Sequence, residues 1–265
     1  MSARWTLLFF TPIFVLSVRG YSPVAAGSIL IPTNIGFGSG GLLVGWLHIH
    51  RSGSFWLPSL VSLACFGVTL LGLSLVGTPS SLAWLFILDV VLNGLATGAA
   101  LNYTLAHLLH LSHQDTHFVT SSLLATFRGF GGSFGTAIGG GIFYRVLRNV
   151  LVRGFRDIDG VDDLGPDRTE LVKRLLGSPA LVFHGDLTSR EHAVAIEGYA
   201  TASAATWRAA SMLVVLVLIV QAATGWDEPL IESCGLVSDA RAATETEAAS
   251  GPLTVGGDAP EQRIV

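Results

Sequence analysis

Ionic side chains are scarce in this chain of 265 residues: only 13% are Asp, Glu, Lys or Arg, about half the roughly 25% usual in a soluble domain. They are scarcest in the first half. Residues 1 to 144 hold six, namely Arg4, Arg19, Arg51, Asp89, Asp115 and Arg128. A surface so poor in charge is not solvated by water, so this half is expected to lie in lipid. That excludes a soluble enzyme, a nucleic-acid binder and a disordered hub. Cysteine is almost absent as well. Cys65 sits in an apolar run and Cys234 in a polar stretch, too few for a disulfide framework. The net charge of −4 belongs to the polar second half and implies no anionic partner and no nucleic acid.

Long apolar runs, by contrast, are plentiful. A spanning helix needs about 20 mostly apolar residues, and 26 to 47, 55 to 76, 82 to 108 and 118 to 144 each supply them. A further span is expected at 207 to 226, bracketed by Trp207 with Arg208 at one end and Trp226 at the other, the residues that anchor helices at membrane interfaces. Residues 5 to 18 are apolar but make only about 21 Å of helix. Either they are the h-region of a signal peptide, with Arg4 as its positive n-region, or they are the surviving end of a spanning helix over 3 to 18. The connectors are short, which makes successive helices antiparallel neighbours. The exception is 145 to 206, with eight basic and nine acidic groups, read as a long loop. Within it Leu171, Val172, Leu175 and Leu176 recur at helical spacing, as in an amphipathic helix on a membrane surface. Residues 231 to 265 show no apolar period and are expected to be a disordered polar tail.

The string GFGSGG at 36 to 41 fits the dinucleotide fingerprint through Gly36, Gly38 and Gly41, but no acidic residue follows before Asp89 and the string lies mid-span, so the fit is spurious. Gly36/Gly40, Gly41/Gly45, Gly94/Gly98 and the series Gly131, Gly135, Gly139 are instead small-xxx-small patterns, which let membrane helices pack closely. Asp89 and Arg128 lie inside expected spans, where a charge costs about 2.5 to 3.5 kcal/mol, so each needs a partner or water. At about 100° per residue, Asp89, Asn93, Thr97, Tyr103, Thr104 and His107 share one face. Arg128 shares a face with Ser121, Gly132, Gly135 and Gly139, toward protein rather than lipid. An ion pair between Asp89 and Arg128 and a role for both in a water-filled pathway stay open at this point. His107, His110, His113 and His117 cluster around one helix end, without the further ligands of a zinc site; no metal and no cofactor are expected. No carboxylate pair or Ser/His/Asp arrangement points to catalysis, so the chain is not expected to be an enzyme.

Three stretches carry a resemblance: YSPVAAGSILIPTNIGFGSGGLLVGWLHIHRSG (21 to 53), GLATGAALNYTLAHLLHLSHQDTHFVTS (94 to 121) and LLATFRGFGGSFGTAIGGGIFYRVLRNVL (123 to 151). Together they resemble the C-terminal half of fungal fourteen-spanner major facilitator superfamily transporters, the drug:proton antiporters and vacuolar basic amino-acid permeases. The likeness runs over about residues 3 to 230. Its most specific part is an Arg followed by a glycine ladder, here Arg128 with Gly131, Gly132 and Gly135. The resemblance implies an all-α membrane protein, a six-helix domain whose first helix is truncated, with the domain ending near residue 230. It also implies a cytoplasmic turn at 48 to 54, of whose basic pattern Arg51 and Gly53 remain. The tail would share that side, with 145 to 206 opposite; the arginines at 145, 148, 153 and 156 oppose this orientation by the positive-inside rule, which weakens for a loop of this length.

The function so implied is transport of small organic solutes, drug-like compounds or amino acids, coupled to protons by alternating access in a plasma or vacuolar membrane. Asp89, Asn93 and Arg128 would line the path, with the bilayer, a small-molecule substrate, the proton and a missing N-terminal half as partners. The alternative is a truncated fragment that transports nothing without a partner half.

Overall fold

The computed structural model describes residues 1–48, 55–160 and 164–225, and all statements of structure refer to these. They are helical, with no strand. The helices are α1 (Ser2–Ser17), α2 (Pro23–Ser28), α3 (Leu30–His48), α4 (Trp56–Val76), α5 (Ala83–Leu111), α6 (His117–Asp159), α7 (Pro166–Gly177), α8 (Leu181–His184) and α9 (Ser189–Ala223). Four segments are long and apolar enough to cross a membrane: Pro23–His48, Trp56–Val76, Ala83–Leu111 and Ser189–Ala223. The first joins α2 and α3. Large apolar side chains stand exposed around them, among them Leu42, Trp46, Leu75, Trp84, Ile219 and Val220. A belt of that kind needs lipid rather than water against it. The chain is an integral, multi-pass membrane protein built as an all-α bundle.

Packing runs α3 on α5, α5 on α4, α4 on α9 and α9 on α6, with α1 wedged against α6 and α9. At the α3–α5 crossing, Gly36 and Gly40 meet the carbonyls of Val91 and Leu95, while Gly94 and Gly98 meet those of Thr33 and Phe37. No Cβ fits at any of the four. Gly131, Gly135 and Gly139 lie in the same way against Met1, Ser2 and Thr6 of α1, and Thr6 Oγ1 donates to the Gly135 carbonyl at 2.8 Å. The other pair differs: Gly41 faces the Asn102 side chain and Gly45 has nothing within 4 Å.

Beyond residue 144 the expected loop gives way to helix. α6 continues to Asp159, 43 residues in all and about 64 Å long, roughly twice the bilayer core. It ends at Gly160, whose φ of 64° is left-handed and whose N–H donates to the Arg156 carbonyl. The last helix starts at Ser189 rather than 207, fixed by a capping box in which Thr188 and Glu191 bond each other's backbone N–H. Continuous helix replaces loop because the charges of 145 to 159 occupy one side only. Phe143, Leu147, Leu151 and Phe155, four apart, are fully or almost fully buried on the other. Leu147 and Leu151 lie over Gly198, and Phe143 meets Tyr199 with ring centroids 6.0 Å apart.

The amphipathic segment is a helix, α7, but its apolar side is spent on protein, not on a membrane. Leu175 and Val172 are buried, and Tyr199 Oη donates to the Leu175 carbonyl at 2.5 Å. Arg168 ties this cap together, bonding both carboxylate oxygens of Asp159 at 2.9 and 3.0 Å and also Glu191. Those bonds, Asp159 first, hold its guanidinium above the ordinary pKa. Trp207 is likewise no interfacial anchor. It is fully buried, 5.3 Å from Phe14 and 6.1 Å from Phe86 between ring centroids, because α9 has already run almost five turns by that point. Trp226, the turn with Arg51 and Gly53, and the tail 231 to 265 lie outside the described residues.

Candidate functional site

α5 is the middle of the site, since α3 and α4 cover two of its sides and α6 approaches a third. Asp89, Asn93, Thr97, Tyr103, Thr104 and His107 are buried or half-buried, yet they turn to different neighbours. Asn93 is buried and its Nδ2 donates to Thr69 Oγ1 of α4 at 2.9 Å. Asp89, one turn earlier, presses on the same helix: a Cβ at Gly72 would lie 2.8 Å from its Oδ2. That oxygen is buried without a hydrogen-bond partner among the described residues. Thr97 and Thr104 return their hydroxyls to the carbonyls of Asn93 and Ala100, the usual way for a membrane helix to satisfy a hydroxyl. Tyr103 Oη is 2.8 Å from His48 Nδ1 of α3, and His107 Nε2 is 3.2 Å from Thr224 Oγ1 just past α9. The ends of α3, α5 and α9 therefore meet on one side of the bundle, opposite the cap.

Arg128 enters from α6. Its Nη2 donates to the Leu101 carbonyl at 2.7 Å, a bond that marries α6 to α5 where few other contacts do. It forms no ion pair with Asp89: among the described residues neither has an opposite charge within 4 Å. The reason is rotational. Asp89 and Asn93 look at α4, whereas Leu101, further along α5, looks at α6. Beside Arg128 a cleft of about 260 Å³ opens, walled by Leu63 and Phe66 of α4, Thr97, Leu101 and Thr104 of α5, and Leu124 and Phe127 of α6. A small organic group fits such a space, apolar on most sides with one cation and two hydroxyls.

The four histidines do not converge. His117 Nε2 lies 3.0 Å from the carbonyls of Leu109 and Ser112, His113 lies 3.3 Å from Asp115, and the His110 ring faces Phe55. Among the described residues no three His, Cys, Asp or Glu side chains are grouped so as to hold a metal ion. Arg4 is the residue that sequence reasoning passed over as a site. It is buried, its Nη2 donates to Asn34 Oδ1 at 3.0 Å, and its guanidinium lies 3.7 Å over the Phe37 ring. The available signal was arithmetic: four arginines against two acids in the first 144 residues leave cations without partners.

Two relatives match. The "MFS transporter L2" of a Phoma species is 28% identical over 220 residues, covering 81% of this chain and 34% of that protein. "Multidrug resistance protein 3" of Bacillus subtilis is 27% identical over 186 residues, covering 69% of this chain and 34% of its own length. The likeness is weak in identity and broad in its coverage of this chain, and it is to one protein named as a transporter and one named for multidrug resistance. The chain spans about a third of the length of these relatives. No family model and no solved structure matches it.

Proposed function

We propose that the chain is the C-terminal six-helix domain of a major facilitator-type transporter, with α1, α2–α3, α4, α5, α6 and α9 as its crossings and α1 as a shortened first one. It moves small organic solutes by alternating access, coupled to protons, and Asp89, Asn93 and Arg128 belong to its pathway. The supporting observation is the cleft at Arg128, a polar-edged cavity among apolar helices in a chain similar over most of its length to a protein named as a transporter and to one named for multidrug resistance. In this reading the bundle rocks against a second six-helix domain about a site near the midplane. The side where the ends of α3, α5 and α9 meet faces the cytoplasm, and the cap faces outside or a vacuolar lumen.

Asp89 has the environment a proton carrier needs. One oxygen is buried against α4 without a partner, so gain or loss of a proton there alters how α4 and α5 fit, and biases which state is populated. The test is expression of the complete transcript in a strain stripped of its own exporters, followed by solute accumulation. Changed accumulation that is lowered toward background by Asp89→Asn, with normal membrane insertion, fits the proposal. Transport indifferent to Asp89→Asn removes that residue from the pathway, and no effect on any solute removes the transport reading.

A further inference from the structure

One face of α9 changes character along its length. Glu197, Thr201 and Arg208, spaced by four and seven residues, stand in one line along the helix, and all three are exposed. They line a groove of about 590 Å³ that Ser74, Gly77 and Thr78 bound where α4 ends. Past Arg208 the same line runs on through Met212, Val215 and Ile219, exposed and wholly apolar. Its order is therefore acid, hydroxyl, base, hydrocarbon. No charged residue follows Arg208 until Asp227. Gly77 meets the ring of Trp207, the residue before Arg208, so Arg208 lies level with the end of α4, a segment long and apolar enough to cross a membrane. That level is the bilayer surface, and Glu197, eleven residues earlier on α9, is about 16 Å further out. Among the described residues neither side chain has an opposite charge within 4 Å.

A phospholipid with an amine in its headgroup has the same order from the bilayer outward: acyl chains, then phosphate, then ammonium. The guanidinium of arginine donates to phosphate oxygens in pairs, and a carboxylate accepts from a primary ammonium. The exposed apolar line below Arg208 needs hydrocarbon against it. An anionic headgroup without an amine satisfies Arg208 but brings no cation to Glu197. A choline headgroup brings the cation without an N–H to donate. A free phosphate or phosphoethanolamine leaves the apolar line uncovered.

We propose that this face of α9 binds an ethanolamine phospholipid, with its phosphate on Arg208, its ammonium on Glu197 and an acyl chain along Met212, Val215 and Ile219. The inference requires only that α4 and α9 cross a bilayer and makes no use of the transport reading. The experiment is native mass spectrometry of the full chain in detergent, titrated separately with dioleoyl phosphatidylethanolamine, phosphatidylcholine and phosphatidylglycerol. Saturable binding is expected, with the ethanolamine lipid held about tenfold tighter than the other two, the worth of one charge-assisted hydrogen bond. Glu197→Gln removes the preference for ethanolamine over glycerol lipid, and Glu197→Lys reverses it. Arg208→Gln weakens all three lipids, because all three share the phosphate. Glycerophosphoethanolamine, the same headgroup without chains, does not displace the lipid at equal concentration. Both side chains are exposed, so thermal unfolding without added lipid is unchanged in the variants. Equal affinity for the three lipids, an undiminished ethanolamine preference in a folded Glu197→Gln chain, or displacement by the chain-free headgroup overturns the proposal. Should a variant not fold, the lipid series on the unaltered chain decides alone.

Discussion

α6 packs by two different chemistries along its length. Up to residue 139 it meets α1 through bare backbone, with Gly131, Gly135 and Gly139 against Met1, Ser2 and Thr6. From 143 onward it meets α9 through Phe143, Leu147, Leu151 and Phe155, all buried. The change is what two different solvents would demand. In hydrocarbon a buried leucine gains little, because lipid tails are as apolar as protein, and helices attract through close fit and polar contact. In water the burial of large side chains drives association. α6 is not among the four segments apolar enough in themselves to cross a membrane; we propose that it crosses with its neighbours and leaves the bilayer where the packing style switches, at about Phe143 and Tyr144.

Substitutions at the two kinds of contact sharpen that contrast. The largest effect is expected from Gly98→Leu, which drives a side chain into the Phe37 carbonyl. Neither backbone can yield cheaply, so a loss of about 3 kcal/mol or more appears as collapse of the monodisperse peak in detergent. Leu151→Ala removes the centre of the α6–α9 contact and costs about 2 to 5 kcal/mol. Its effect is regional: amide exchange accelerates in 145 to 159 and 189 to 200 while α3 and α5 stay protected. Arg168→Ala breaks the links to Asp159 and Glu191, but its partners are partly solvated. The expected loss is about 1 kcal/mol or less, and added salt narrows the difference from the unaltered chain in thermal unfolding. Gly45→Ala is the smallest. With nothing within 4 Å of the added methyl and alanine the better helix former by about 1 kcal/mol, stability is unchanged or slightly raised. A drop as large as that of Gly98→Leu would show that Gly45 meets a partner.

The apolar runs at 26 to 47, 55 to 76 and 82 to 108 were legible because a spanning helix needs length and composition and little else; the run at 118 to 144 is helix, the first part of α6, but its glycines, hydroxyls and Arg128 keep it out of the segments apolar enough to cross a membrane. The glycine pairs were legible as patterns, but their partners were not: the spacing that brings Gly36 and Gly40 onto α5 is the same spacing that leaves Gly45 in open space. The helical course of 145 to 159 was obscured by Arg145, Arg148, Arg153 and Arg156, whose charge reads as loop. The four-residue repeat from Phe143 to Phe155 carried the opposite message in the same letters. The start of α9 was hidden for a related reason. Ala195, Tyr199 and Ala202 are buried but too small or too polar to form an apolar run, and the capping box at Thr188 and Glu191 was the signal to read. At the site, winding one helix placed Asp89 and Asn93 on a common face, which holds. It could not say that α4 covers that face while Arg128 binds α5 further along.

The central claim is that hydrocarbon surrounds α6 as far as Tyr144 and water surrounds it beyond. Spin labels placed singly at Ile138, which is exposed on the bundle, and at Arg153, with native cysteines replaced by serine and the chain in a bilayer, test it directly. The account predicts that position 138 is quenched by oxygen and shielded from a water-soluble nickel chelate, and that position 153 shows the reverse. Chelate access at 138 equal to that at 153 would contradict it.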